Sequence, residues 1–225
     1  MKKQTKQNIA HTAFKMFLEN GYQKTSLRDI ANECNTTHVN ILYHYKNKSD
    51  LGLLLQETYV HTVGEFIKTY ADEFSIEPSI KYYSLYWMLH YTFMLEHPNF
   101  ARFYCEFESM NRQSIALSKL RPDGYMHMTS TFTGMEIAYD EPEITLNMHL
   151  LVEADMQIII LLSKNEIDIS EAMSYYLKNS LKLLVNHSMG PQELNEIVND
   201  TLNMKNDIKP LTEKIEQKLF MQTAE

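Results

Sequence analysis

The chain is poor in the residues that bend or staple a backbone. Its 225 residues include 6 glycines, 6 prolines and 2 cysteines. So few glycines and prolines, with no Asn-Gly or Asp-Gly pair set between alternating strands, exclude a turn-rich all-β fold. Cys34 and Cys105 lie far apart with no C-x-x-C spacing, so both are expected to be reduced thiols in a cytosolic, cytoplasmic protein. His90, His97, His127, His149 and His187 are scattered without ligand spacing, and no metal or cofactor is expected. There is no nucleophile–base–acid pattern, Gly-rich phosphate loop or H-E-x-x-H, so an enzyme is not expected. Long charge-free runs are missing too. The greasiest stretch, "MHLLVEADMQIIILL", is interrupted by Glu153 and Asp155 and reads as a buried helix, with no membrane as partner. The opening "MKKQTKQNIAHTAFKMF" has bases but no clean apolar run after them, so no signal peptide is expected.

What is present suits helices. Hydrophobic residues make up 44% of the chain, enough to exclude disorder, and Leu, Met, Glu, Lys and Gln are plentiful. The net charge of −8 is unevenly spread. Residues 1–50 carry eight Lys or Arg against four acids, a net +4, whereas the remaining 175 residues carry 13 bases against 25 acids, a net −12. A basic head on an acidic body is either a chance fluctuation or a local surface for a polyanion.

Apolar spacing predicts a helix over residues 5–19, with Ile9, Ala13 and Phe17 on one face and Gly21 as its stop. A second helix starts at "TSLRD", where Ser26 can cap and Asp29 completes a box. Asn35 falls where a tight turn wants a left-handed residue. Thr37 can cap a third helix, with Ile41 and Tyr45 facing inward and His38, Val39, Asn40, Leu42, Tyr43 and His44 more outward. Asn47 caps a longer helix over about 48–74. Further helices are predicted over 78–97, 98–117, 125–138, 142–164, 170–188, 192–204 and 210–220, with turns at "RPDGY" (121–125) and "YDEPE". The chain is therefore all-α: a three-helix head, residues 1–50, and a larger helical body, residues 51–225.

Two short helices joined by a tight turn have the layout of a helix-turn-helix, whose second helix enters the major groove. Asn40 can both donate and accept at base edges. His38 and His44 can reach bases or phosphates, and Val39 and Leu42 can touch thymine methyls. Thr25, Ser26, Thr37, Tyr43 and Lys48 offer donors to phosphates, and Arg28 and Lys46 complete the DNA-binding set.

The stretches "AFKMFLENGYQKTSLRDIA" and "ILYHYKNKSDL" resemble the N-terminal DNA-binding domain of TetR/AcrR family transcriptional regulators, without gaps over residues 5–51. Three positions depart from the family pattern. Leu42 stands where a phosphate-contacting Tyr is usual, Val39 replaces a small residue, and Tyr45 stands for the usual core Phe, so its hydroxyl needs a partner or a route to water. The resemblance implies a homodimer bound to a double-stranded DNA operator, a small-molecule effector of unidentified structure, and repression as the usual habit.

The body offers its own support. Tyr83, Tyr86, Trp87, Tyr91, Phe103, Tyr104, Phe107 and Met110 are the ligand-binding candidates in a stretch dense in rings, which either line a pocket or fill a core. Acids nearby make a cationic lipophilic ligand conceivable. The helices near 142–164 and 170–188 carry more apolar surface than one neighbour can bury, through Ile144, Met148, Leu151, Val152, Met156, Ile159 and Ile160 on one and Ala172, Tyr175, Tyr176, Leu181, Leu184 and Val185 on the other. Paired across a two-fold axis they would form a four-helix bundle. The alternative function is a helical adaptor for a protein partner, with a head that no longer holds an operator.

Overall fold

The structure is a computed structural model that describes residues 2–116 and 120–221. Among these residues it contains eleven helices: Lys2–Asn20 (α1), Leu27–Glu33 (α2), His38–His44 (α3), Lys48–Glu73 (α4), Ile80–Glu96 (α5), Pro98–Ala116 (α6), Leu120–Thr133 (α7), Glu141–Ser163 (α8), Ile169–Val185 (α9), Pro191–Asn203 (α10) and Lys205–Met221 (α11). The fold is all-α, with an N-terminal helix cluster followed by a larger helical region. Residue 117, the expected end of α6, lies outside the described residues.

Two compact units emerge. One gathers the chain up to Thr62 with His97–Arg112 and the segment from Glu213; the other gathers Val63–Glu96 and Gln113–Thr212. In the first unit, α1 buries Ile9, Ala10, Ala13, Phe14 and Phe17, one stripe at helical spacing. It stops at Gly21, whose φ of 91° suits a residue without a side chain and whose N–H donates to the Phe17 carbonyl. Ile30 and Ala31 of α2 and Ile41 of α3 complete the head's core. The α6 helix belongs to this unit up to Arg112, and Phe100, Phe103 and Phe107 are all buried.

In the second unit α5 is the central helix. Every residue from Tyr82 to Met94 is buried, which a helix achieves only when neighbours cover it all round. Those neighbours are α7, α8, α9 and α10. By length and composition Pro142–Ser163 would suffice to cross a membrane, but 50% of that window is buried inside the protein. Most of the apolar residues expected to overflow from α8 and α9 are also covered within the chain, among them Ile144, Met148, Leu151, Val152, Met156, Ile159, Ala172, Tyr176, Leu181 and Leu184. The apolar surface left over is narrower: Leu146 and Leu150 on α8 and Tyr175 on α9.

Three boundaries differ from expectation. Residues 121–125 are helical, because Pro122 falls at the third residue of α7, where no intrahelical N–H bond is needed. That helix ends earlier than predicted, at Thr133, followed by Gly134 at φ 71°. The last helix begins at Lys205, with Pro210 inside it instead of at its start.

Candidate nucleic-acid interface

The turn between α2 and α3 is built from local chemistry. The Ser26 side chain accepts from the Asp29 N–H at 3.2 Å, and the Asp29 carboxylate accepts from the Ser26 N–H at 2.9 Å and hydroxyl at 2.6 Å. The Ser26 hydroxyl, then its backbone N–H, holds the Asp29 carboxyl below its ordinary value. Asn35 adopts φ 50° at the turn. Thr37 caps α3 by accepting from the Asn40 N–H at 3.1 Å.

This frame aims one face of α3 outward. Val39 is 75% and Tyr43 69% exposed, with Leu42 beside them. His38, Asn40 and His44 are half-buried along the same helix. The Tyr43 and His44 rings meet edge to face, 5.0 Å between centroids. Ser26, Arg28, Thr37 and Lys46 are exposed. The Thr37 oxygen accepts one N–H and keeps its own O–H to donate, so a cap residue can also hold a phosphate. The Ser26 O–H is already committed to Asp29.

Two of the expected phosphate donors have other work. Thr25 is only 3% exposed, and its hydroxyl donates to the Gly21 carbonyl at 2.8 Å. The Lys48 ammonium donates to the Tyr22 and Thr25 carbonyls at 2.9 and 3.1 Å and sits 4.2 Å from the Tyr22 ring centre. Burial lowers the Lys48 pKa, and the Glu106 carboxylate opposes that shift. Both side chains therefore brace the corner between α1 and α2.

That corner has further braces on α6. Arg102 donates to the Leu18 and Glu19 carbonyls at 2.6 and 3.2 Å, satisfying the end of α1, and the Glu106 carboxylate accepts from the Gln23 N–H at 2.8 Å. Tyr22 packs on Phe17 and Phe107, with ring centroids 5.0 and 5.2 Å away. Its hydroxyl accepts from Asn111 at 3.2 Å, at the kink of α6. The sequence offers no signal for these partners, which lie some eighty residues from the corner they hold. Thr36 was also missed: its hydroxyl oxygen accepts from the Asn40 side-chain amide at 2.9 Å and so orients it. A cleft of about 490 Å³ beside this corner is lined by Met16, Glu19, Asn20, Lys24, Thr25, Asp29 and Arg102, a mixed-charge lining unsuited to an apolar ligand.

The eight ligand candidates divide between the units. Phe103, Tyr104, Phe107 and Met110 belong to the first, where Phe103 stacks on Phe17 at 5.8 Å and on Phe107 at 5.7 Å. Phe103 and Phe107 are thus core of the head, and Met110 is exposed. Tyr83, Tyr86, Trp87 and Tyr91 come together in the second unit. Trp87 lies 3.8 Å from Tyr176, 5.3 Å from Tyr86 and 6.0 Å from Tyr91 between ring centroids. Beside them the His90 imidazole is 3.3 Å from the Asp155 carboxylate, and both are enclosed. Burial raises the Tyr83 pKa. Neither Cys34 nor Cys105 forms a disulfide, and burial pushes the Cys34 thiol pKa up. Among the described residues no group of three His, Cys, Asp or Glu could hold a metal ion.

Comparison with known proteins bears on the same segment. Residues 9–53 match the family described as bacterial regulatory proteins, tetR family. A stretch of 75 residues is 33% identical to the HTH-type transcriptional regulator AcrR of Shigella flexneri and covers 33% of this chain and 35% of that protein. The match thus spans about a third of that relative's length. No solved structure matches the chain.

Proposed function

We propose that the chain, whose residues 9–53 match the tetR family of bacterial regulatory proteins, is a ligand-responsive transcription regulator that reads duplex DNA with α3. The observation that carries this reading is the outward face of that helix. Val39, Leu42 and Tyr43 stand exposed on a seven-residue helix whose other side is fixed in a core by Ile41. An apolar, aromatic and amide face of this kind serves base edges and thymine methyls, while Arg28, Thr37 and Lys46 flank it as phosphate donors. Residues 1–50 act as the DNA-binding domain and residues 51–225 as the effector-binding and dimerisation domain.

Two copies pair through the residual apolar surface on α8 and α9. Their heads then enter successive major grooves about 34–36 Å apart on a pseudo-palindromic operator in the cytoplasm. The effector is small and largely apolar or aromatic. Its site is the ring cluster around Trp87 and Tyr91, where the enclosed His90–Asp155 pair supplies polar recognition. The effector weakens DNA binding by its differential affinity for two shapes of the protein, so the regulator is a repressor released by its ligand. Recovery of bound duplexes from a random pool tests the reading: the recovered sites should share a two-fold symmetric sequence.

A second reading rests on the same exposed side chains. Val39, Leu42 and Tyr43 also suit a protein partner, which would make the chain a helical adaptor. Gel shifts across a salt series separate the two, since an adaptor gives no sequence preference and no steep salt slope.

A further inference from the structure

The Tyr45 hydroxyl, absent from the phenylalanine usual at this position, has a use in this chain. It donates to the Lys6 carbonyl at 3.2 Å, joining the C-terminal cap of α3 to the second turn of α1. The contact is doubled, because the Lys6 ammonium lies 5.5 Å from the centre of the Tyr45 ring. Tyr45 itself is buried, and Lys6 is exposed. Lys6 continues the stripe of Ile9, Ala10, Ala13 and Phe17 past the edge of the core, where its ammonium lies over the ring on an exposed side chain. On either side of Tyr45 stand His44 and Lys46, both in the set proposed to touch DNA. The first acid in the chain is Glu19, more than three helical turns beyond Lys6, so no carboxylate on its own helix competes for the charge.

Resting on the DNA-binding reading above, we infer that Lys6 is a further phosphate-contacting residue of the interface and that Tyr45 is the residue that positions it. α1 then joins the interface: a cation from its second turn is held beside the end of the groove-reading helix. A lysine so placed binds any sequence equally, because the phosphate backbone is uniform. Its contribution therefore appears in the salt dependence and not in base preference.

The experiment measures log affinity against log salt for the full-length chain and a duplex spanning two successive major grooves. Lys6→Gln should flatten the slope by about 0.9 for each head that loses a phosphate contact. Lys6→Arg should restore the wild-type slope. Tyr45→Phe, which removes the hydroxyl contact and keeps the ring, should flatten it by part of the Lys6→Gln effect, with a native circular-dichroism spectrum, and the double variant should be no flatter than Lys6→Gln alone. A wild-type chain that binds DNA while Lys6→Gln leaves the slope unchanged overturns the inference and spares the DNA-binding reading. A wild-type chain that binds no duplex at low salt sinks the reading itself. If Lys6→Gln flattens the slope and Tyr45→Phe does not, the positioning role of Tyr45 is overturned.

Discussion

The Lys48 ammonium lies over the Tyr22 ring, 4.2 Å from its centre, and donates to the Tyr22 backbone carbonyl at 2.9 Å. A lysine that reads in sequence as a surface cation is thus part of the brace that sets the angle between α1 and α2. Replacing it by Met keeps the stem and removes both hydrogen bonds to carbonyls. Lys48→Met should destabilise the protein by about 1.5–3 kcal/mol, the range for a hydrogen bond to a charged group. Urea denaturation followed by circular dichroism measures this. A stability unchanged within error would return Lys48 to the phosphate-binding set.

Gly52 is the second-turn residue of α4 over which Phe107 and Tyr22 close. A side-chain carbon placed there would meet Phe107 ring atoms at 2.5 Å and a Tyr22 ring atom at 2.9 Å. Those rings are themselves packed edge to face at 5.2 Å, so neither can yield without displacing the other. In an open helix Gly→Ala stabilises by up to about 1 kcal/mol. Here overpacking outweighs that gain, and Gly52→Ala should lower stability by about 1–3 kcal/mol. A rise in melting temperature would contradict the packing described.

The Tyr45 hydroxyl gives the head a signature at high pH. Burial pushes its pKa from 10.0 up to about 12. A group whose folded pKa is raised contributes stability that is complete below its unfolded pKa and is lost as pH climbs through the folded one. The window is therefore pH 10 to about 12. Against Tyr45→Phe, in which every other titration is shared, the wild type should lose relative stability across that window and hold a constant difference below it. Paired denaturant midpoints at several pH values supply the comparison. A difference that stays flat above pH 10 would mean that the hydroxyl is not buried as described.

Asn40 has one amide N–H held by Thr36, which leaves its carbonyl oxygen and second N–H for a base edge in the DNA-binding proposed above. Asn40→Ala should cost about 1–3 kcal/mol of discrimination at one base position. Thr36→Val, which frees the amide to rotate, should lose part of the same discrimination with little change in non-specific binding. Competition between the selected duplex and its single-base variants measures both. Equal losses on every duplex would make Asn40 a phosphate anchor instead of a base reader.

Local chemistry was legible in the sequence, and long-range partnership was not. Ser26 with Asp29, Thr37, Asn35 and Gly21 could be assigned as caps and turn residues because each acts on its own neighbours within about four positions. The matching structural features are those same hydrogen bonds and dihedrals. "RPDGY" misled because Pro and Gly mark turns by composition, yet a helix accepts Pro in its first turn. Lys48 and Thr25 are donors in any reading, and only the fold reveals that Tyr22, Thr25 and Gly21 carbonyls lie within their reach. The aromatic run from Tyr82 to Phe107 illustrates the same limit. Spacing cannot separate Phe103, which stacks under the head, from Trp87, which packs in the other unit, because ring density is alike in both.

Leu146 and Leu150 stand one helical turn apart on α8, 60% and 51% exposed, on a helix whose remaining large apolar side chains are mostly covered. Adjacent exposed leucines on a long helix are the kind of surface a two-fold partner covers, since an isologous interface brings the same pair against itself. Placing charge there should oppose pairing without disturbing the fold, because neither side chain belongs to the intrachain core. Leu146→Glu combined with Leu150→Glu should therefore convert a dimer to a monomer with a native circular-dichroism spectrum, as read by sedimentation velocity. The same double variant should lose affinity for a two-fold symmetric duplex far more than for a single half-site, because a monomer brings only one head. A variant that remains dimeric would move the interface elsewhere on the chain. One that turns monomeric yet keeps full affinity for the symmetric duplex would show that each head binds alone.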